Sequence, residues 1–78
     1  MDIFDFTYYK DYVNNWISAQ PRQGYGLLRK IAKTLNVNSV VMSQVFRGPR
    51  DLTMEQALGV SKFIGLTQTQ RDYFLLLV

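Results

Sequence analysis

Seventy-eight residues with a net charge of +3, 47% apolar and 14% aromatic, suffice for one small domain and exclude a disordered tail. The chain has no Cys and no His, which removes disulfides, thiolate or imidazole metal sites, and Ser-His or Cys-His nucleophiles together. The six carboxylates, Asp2, Asp5, Asp11, Asp51, Glu55 and Asp72, fall near predicted helix ends or turns where capping and dipole roles account for them, so no enzyme, no cofactor and no metal is expected.

The first helix is expected from about Thr7 to Ala19, capped by Asp5 or Thr7, with Phe6, Tyr9, Val13, Trp16 and Ile17 on one face. These aromatics are expected in the core, since base-stacking platforms sit on sheets or grooves. Tyr8 and Tyr12 fall off the stripe and are candidates for a surface facing a partner or a following domain. Pro21, Gly24 and Gly26 then break the chain into a loop that carries Arg22. In the second helix Leu28, Ile31, Ala32 and Leu35 recur at i, i+3, i+4 and i+7, a buried stripe that leaves Arg29, Lys30 and Lys33 on the wet side. Asn36, tolerant of the left-handed region, ends it.

Asn38 is placed to cap a third helix, Ser39 to Arg47, closed by Gly48. Met42 and Val45 should point inward, leaving Ser39, Val40, Ser43, Gln44 and Arg47 outward. Thr53-Met54-Glu55-Gln56 has the form of a capping box preceded by an apolar staple, Leu52, and starts a fourth helix with Met54, Ala57, Leu58 and Ile64 as its core stripe. Gly59, costly inside a helix, implies a close approach of another backbone. Gly65 ends that helix. Thr67-Gln68-Thr69-Gln70 repeats the box for a fifth helix carrying Tyr73, Phe74, Leu76 and Leu77. No stretch approaches the roughly 18 apolar residues of a membrane span, and the acidic start is unlike a signal peptide, so a cytoplasmic protein without a membrane partner is expected.

Charge is distributed unevenly along these helices. Residues 1–11 carry −2 and residues 51–78 carry −1, whereas residues 12–50 hold Arg22, Arg29, Lys30, Lys33, Arg47 and Arg50 and no carboxylate, for +6. Phosphate binding requires this pattern, because a neighbouring carboxylate cancels the field and the counterion release that drive association. The basic window also contains two short helices joined by a tight turn over residues 27–48, the combination expected of a helix-turn-helix DNA reader.

Residues Ala32 to Gly48 resemble the lambda-repressor/Cro-like helix-turn-helix pattern: Ala32 as the small inward residue, Leu35 and Val37 flanking the turn, Met42 and Val45 as anchors, Gly48 at the end. Asn36 stands where that pattern usually has Gly, and Phe46 where a polar residue is common. The stretch Ile3-Phe4-Asp5-Phe6-Thr7-Tyr8-Tyr9-Lys10-Asp11-Tyr12 and the turn Gly48-Pro49-Arg50-Asp51-Leu52 are similar to those of a bacterial family of transcriptional regulators. The resemblance implies an all-α, five-helix, lambda-repressor-like domain over residues 1–78, followed in the family by a larger C-terminal domain. The apolar run Leu75-Leu76-Leu77-Val78, with no helix-stop signal, is consistent with a fifth helix that continues or packs against something.

The expected partner is double-stranded DNA, with a homodimer formed through the fifth helix or the C-terminal domain. Ser39, Val40, Ser43, Gln44 and Arg47 are the candidate base readers: Val40 can meet a thymine methyl, Gln44 can present its amide to adenine, and Arg47 can reach a guanine edge or a phosphate. Arg29, Lys30, Lys33, Asn38 and Arg50 are the candidate phosphate contacts. The competing expectation is a helical protein-interaction module on the same fold, for which outward Val40, Val41 and Phe46 would supply adhesion. RNA binding has no dedicated motif in the chain.

Overall fold

Both capping boxes form. Thr53 Oγ1 accepts from the Gln56 amide at 3.1 Å while Gln56 Oε1 accepts from the Thr53 amide at 3.0 Å. Thr67 and Gln70 repeat the exchange at 3.2 and 2.9 Å. In the computed structural model, which describes residues 2–78, they start two of five helices: α1 (Tyr9–Ser18), α2 (Leu27–Leu35), α3 (Ser39–Arg47), α4 (Met54–Ile64) and α5 (Gln68–Leu77). A short 3-10 turn at Ile3–Asp5 and a tight turn with left-handed residues at Pro21–Gly24 complete the order, with no strand among the described residues. None of the helices in those residues is long and apolar enough to cross a membrane. Replacing Thr53 or Thr67 by Ala should each lower stability by about 1 kcal/mol, read as a lower urea midpoint at unchanged slope.

The ends of α2 and α4 share one solution. Asn36 at φ 58° and Gly65 at φ 88° enter the left-handed region. Two crossed bonds then close each helix: Asn36 N to Lys33 O at 3.2 Å with Val37 N to Ala32 O at 2.9 Å, and Gly65 N to Lys62 O with Leu66 N to Ser61 O, both at 3.1 Å. This is the Schellman arrangement, which satisfies carbonyls the helix itself leaves open. Gly48 ends α3 differently, at an extended φ of −141°. A Cβ there would lie 2.8 Å from the Gln44 carbonyl oxygen, so close approach, not left-handed geometry, accounts for the glycine.

Ile3, Val13, Ile31, Met42, Val45, Val60 and Phe74 are fully buried where the five helices meet. Gly59 lets α4 meet α2: a Cβ would stand 2.9 Å from Leu35 Cγ, so a side chain rather than a backbone makes the close approach. Several expectations are corrected. The first helix starts at Tyr9, and neither Asp5 nor Thr7 caps it. Asp5 instead belongs to the 3-10 turn at Ile3–Asp5, whose own cap is Asp2. Tyr12 is buried rather than displayed, with its ring edge-on to Phe6 at 5.4 Å and Phe74 at 6.4 Å. Met54 is 58% exposed because it occupies the first position of α4, beyond the packed stripe of Ala57, Val60, Ser61 and Ile64. Ser61 sits in that stripe at no polar cost, since its hydroxyl donates to Leu58 O at 2.7 Å. Leu76 is 83% exposed on α5, and Phe74 with Tyr73, Leu75 and Leu77 forms the packed side instead.

Candidate nucleic-acid interface

α3 is held from two sides. Through Asn36, Val37 and Asn38 it turns off α2, and Asn38 Oδ1 accepts from the Val40 amide at 2.8 Å, capping α3 as its position in the sequence predicts. That bond occupies the Asn38 carboxamide oxygen and leaves the nitrogen as the group able to meet a phosphate. From the opposite side α1 closes the C-terminal end of α3. Asn14 Nδ2 donates to Phe46 O at 3.1 Å, and Lys10 Nζ donates to Gly48 O at 3.1 Å and Arg50 O at 2.7 Å. The Phe46 carbonyl in the last turn and the Gly48 carbonyl at the cap are thereby paired, the latter by a cation that the negative end of the helix dipole favours, while the same cation holds the Arg50 carbonyl in the loop beyond.

Tyr9 completes this mount. Its hydroxyl donates to Asp51 Oδ1 at 2.8 Å and accepts from the Leu52 amide at 3.1 Å, which fixes the chain leaving α3. Burial pushes the Tyr9 phenol up to about 12; the Leu52 amide opposes that rise, and the Asp51 hydrogen bond and charge and the Tyr8 charge add to it. Tyr12 is raised as well, by burial first and then by the Asp2 charge.

With its C-terminal end fixed, α3 turns Ser39, Val40, Gln44 and Arg47 to solvent and leaves Ser43 half-buried. Val40, 58% exposed, is the apolar side chain on this face. Val41 is half-buried, and Phe46 is buried with its ring edge-on to Tyr9 at 6.4 Å, contrary to the outward placement weighed for both. Ser39, Val40, Ser43 and Arg47 line an open groove whose other wall is the α1–α2 loop and the start of α2: Arg22, Gln23, Tyr25, Leu28 and Arg29. Gln44 lies one turn beyond Val40, where its Oε1 accepts from Arg50 Nη1 at 3.1 Å. Lys30 and Lys33 are exposed on α2 away from the groove.

Arg22, Arg29, Lys30, Lys33, Arg47 and Arg50 are all exposed, and among the described residues the ion pair formed is Lys10 with Asp51 at 3.6 Å. Among the described residues none of the six cations is ion-paired, so their field is directed outward. No known protein family, curated protein or solved structure matches the chain.

Sequence reasoning turned Ser39, Val40, Gln44 and Arg47 of α3 outward and named Arg29, but missed the rest of the opposite wall of the groove. Tyr25 is 90% exposed, and Arg22 and Gln23 adopt φ of 59° and 56°, a left-handed pair followed by Gly24 at 74°. Such a run costs on the order of 1 kcal/mol or more per non-Gly residue. Gly24 after it is closely fitted, since a Cβ there would collide with the Ile17 carbonyl and side chain. Lys10, Tyr9 and Asn14 were missed as the mount of α3, since their partners lie more than thirty residues away and leave no local signal.

Proposed function

We propose that this domain binds double-stranded DNA sequence-specifically, with α3 in the major groove, as a lambda-repressor-like helix-turn-helix domain of a bacterial transcriptional regulator. The observation that carries the proposal is the α3 face itself. Polar side chains with one exposed methyl-bearing residue are flanked by Arg22, Arg29 and Arg47 around one groove, with no carboxylate lining it. An α-helix fits the major groove, and these side-chain types match its donors, acceptors and thymine methyls. Arg22 and Arg29, off the reading helix, are suited to phosphates that fix register. A protein-interaction role for α3 has less to work with, because of the three apolar residues weighed for it Val41 and Phe46 are spent in packing and Val40 remains exposed.

Titration of a labelled duplex by fluorescence anisotropy across a salt series tests the proposal. A single domain on random sequence should bind in the roughly 10⁻⁴ to 10⁻⁶ M range at physiological salt, weakening as salt rises. Arg29→Ala should flatten the log-affinity against log-salt slope by about 0.9 on any sequence, while Val40→Ser should relax preference at a thymine and leave the slope alone. Absence of binding at low salt, or binding indifferent to salt, would refute DNA recognition. Two copies joined through α5, where Leu76 is exposed, would set two α3 helices about 34 Å apart on successive major grooves; sedimentation of the protein with a two-site duplex reads that stoichiometry.

A further inference from the structure

Gln44 and Arg50 belong to different parts of the DNA-reading arrangement, one a base reader on α3 and the other a phosphate contact in the following loop, yet they are bonded twice. The Arg50 amide donates to Gln44 O at 3.2 Å, and the Arg50 guanidinium donates to Gln44 Oε1 at 3.1 Å. The Arg50 backbone is itself pinned, because buried Lys10 holds its carbonyl at 2.7 Å and also holds Gly48 O two residues before it. The guanidinium thus projects from a fixed point beside the last turn of α3. A glutamine carboxamide free in solvent rotates and offers donor and acceptor equally; one gripped at its oxygen has its nitrogen turned to the remaining side.

We infer that Arg50 is a positioning residue for Gln44: by holding the Gln44 carboxamide oxygen it aims the Nε2 hydrogens at the base edge, so that Gln44 selects a purine N7 or guanine O6 acceptor against the cytosine N4 donor. This inference rests on the DNA-binding proposal above. The guanidinium carries five donors in a fixed fork and spends one on Gln44, which leaves others for the adjacent phosphate. One side chain then links the backbone contact to the base contact, and the base preference of α3 depends on a residue that touches no base. A residue that merely supplied charge to a phosphate would lower affinity for all sequences alike.

The experiment begins with a duplex selected from a random pool by the wild-type protein, in which each position is then changed to the other three bases and every duplex is titrated at two salt concentrations. Gln44→Ala should flatten the preference at one position, by roughly five- to a hundredfold, the span of a good base contact. Arg50→Ala should flatten preference at that same position as well as lowering affinity on every duplex, and the double variant should discriminate no less there than Gln44→Ala alone. Urea midpoints of the exposed-site variants, close to wild type, establish that folding is intact. If Arg50→Ala weakens all duplexes equally and leaves the ratio at the Gln44 position untouched, the inference is overturned while DNA binding stands. It is also overturned if Gln44→Ala flattens no position. If the wild-type protein shows no salt-dependent binding to any duplex, DNA binding itself falls.

Discussion

Phe74→Ala is expected to remove about 3–5 kcal/mol of stability, the cost of emptying a fully buried aromatic site. At roughly 0.05–0.15 kcal/mol per residue a chain of this length holds about 4–12 kcal/mol in all, so the variant should lose at least about a quarter of it. Phe74 is wholly buried and edge-on to both Tyr9 at 6.0 Å and Tyr12 at 6.4 Å, so the truncation also removes two aromatic pairs beyond the lost area. Its effect should reach the α3 surface, because Tyr9 holds Leu52 and Asp51 in the loop that follows α3. Leu76→Ala, two residues along the same helix but exposed, should change stability by less than about 0.5 kcal/mol. Urea denaturation of the pair decides the matter: similar midpoints for the two variants would contradict the placement of Phe74 at the centre of the core.

Helix starts and stops were legible where a local device marks them, which the uncapped start of α1 lacks. Asn38, Thr53 and Thr67 cap the helices their positions predict, and Asn36 and Gly65 stop α2 and α4, since each device involves bonds among residues at most five apart. Which face of a helix is buried was legible only where the neighbours lie on a single side. Periodicity placed Ile31, Ala32, Met42 and Val45 inside, as found, but put Met54 in the core and Tyr12 outside it. Tyr12 is covered by Phe6 and Phe74, the second brought over it by the return of α5 to the N-terminal end of the chain, an arrangement no local pattern encodes.

The α3 surface divides in the same way. Its outward residues follow from helical spacing, and Ser39, Val40, Gln44 and Arg47 are exposed together. The groove beside them needs the left-handed turn at Arg22 and Gln23, and neither residue type predicts positive φ. The support beneath α3 is less legible still, because Lys10 in sequence is an ordinary surface-type cation on an amphipathic helix. Only tertiary placement turns it into a buried donor to Gly48 and Arg50 carbonyls. The α3 surface is thus assembled in two layers, a local one that selects the side chains and a long-range one from α1 that holds the chain leaving the helix.

That long-range layer should be sensitive to alkali. Below pH 10 the Tyr9 phenol is protonated in both folded and unfolded chains, and its contribution to stability is fully present. Between pH 10 and about 12 the unfolded chain releases the proton while burial makes the folded chain retain it. The unfolded state then binds fewer protons, so stability falls as pH rises and the loss is complete once the folded pKa is passed. At 1.36 kcal/mol per unit, a rise from 10.0 to about 12 corresponds to a loss of roughly 2–3 kcal/mol. Tyr12, raised by burial and by the Asp2 charge, acts with the same sign. Urea midpoints should therefore drop steeply across this window, with the tyrosinate absorbance of Tyr9 appearing only as the protein unfolds. Tyr9→Phe leaves the buried Leu52 amide without its acceptor, so it should start about 1–3 kcal/mol less stable at neutral pH yet lose less on going to alkali. If wild type and Tyr9→Phe fall in parallel from pH 10 upward, the phenol held between Asp51 and Leu52 is not the group that couples folding to pH.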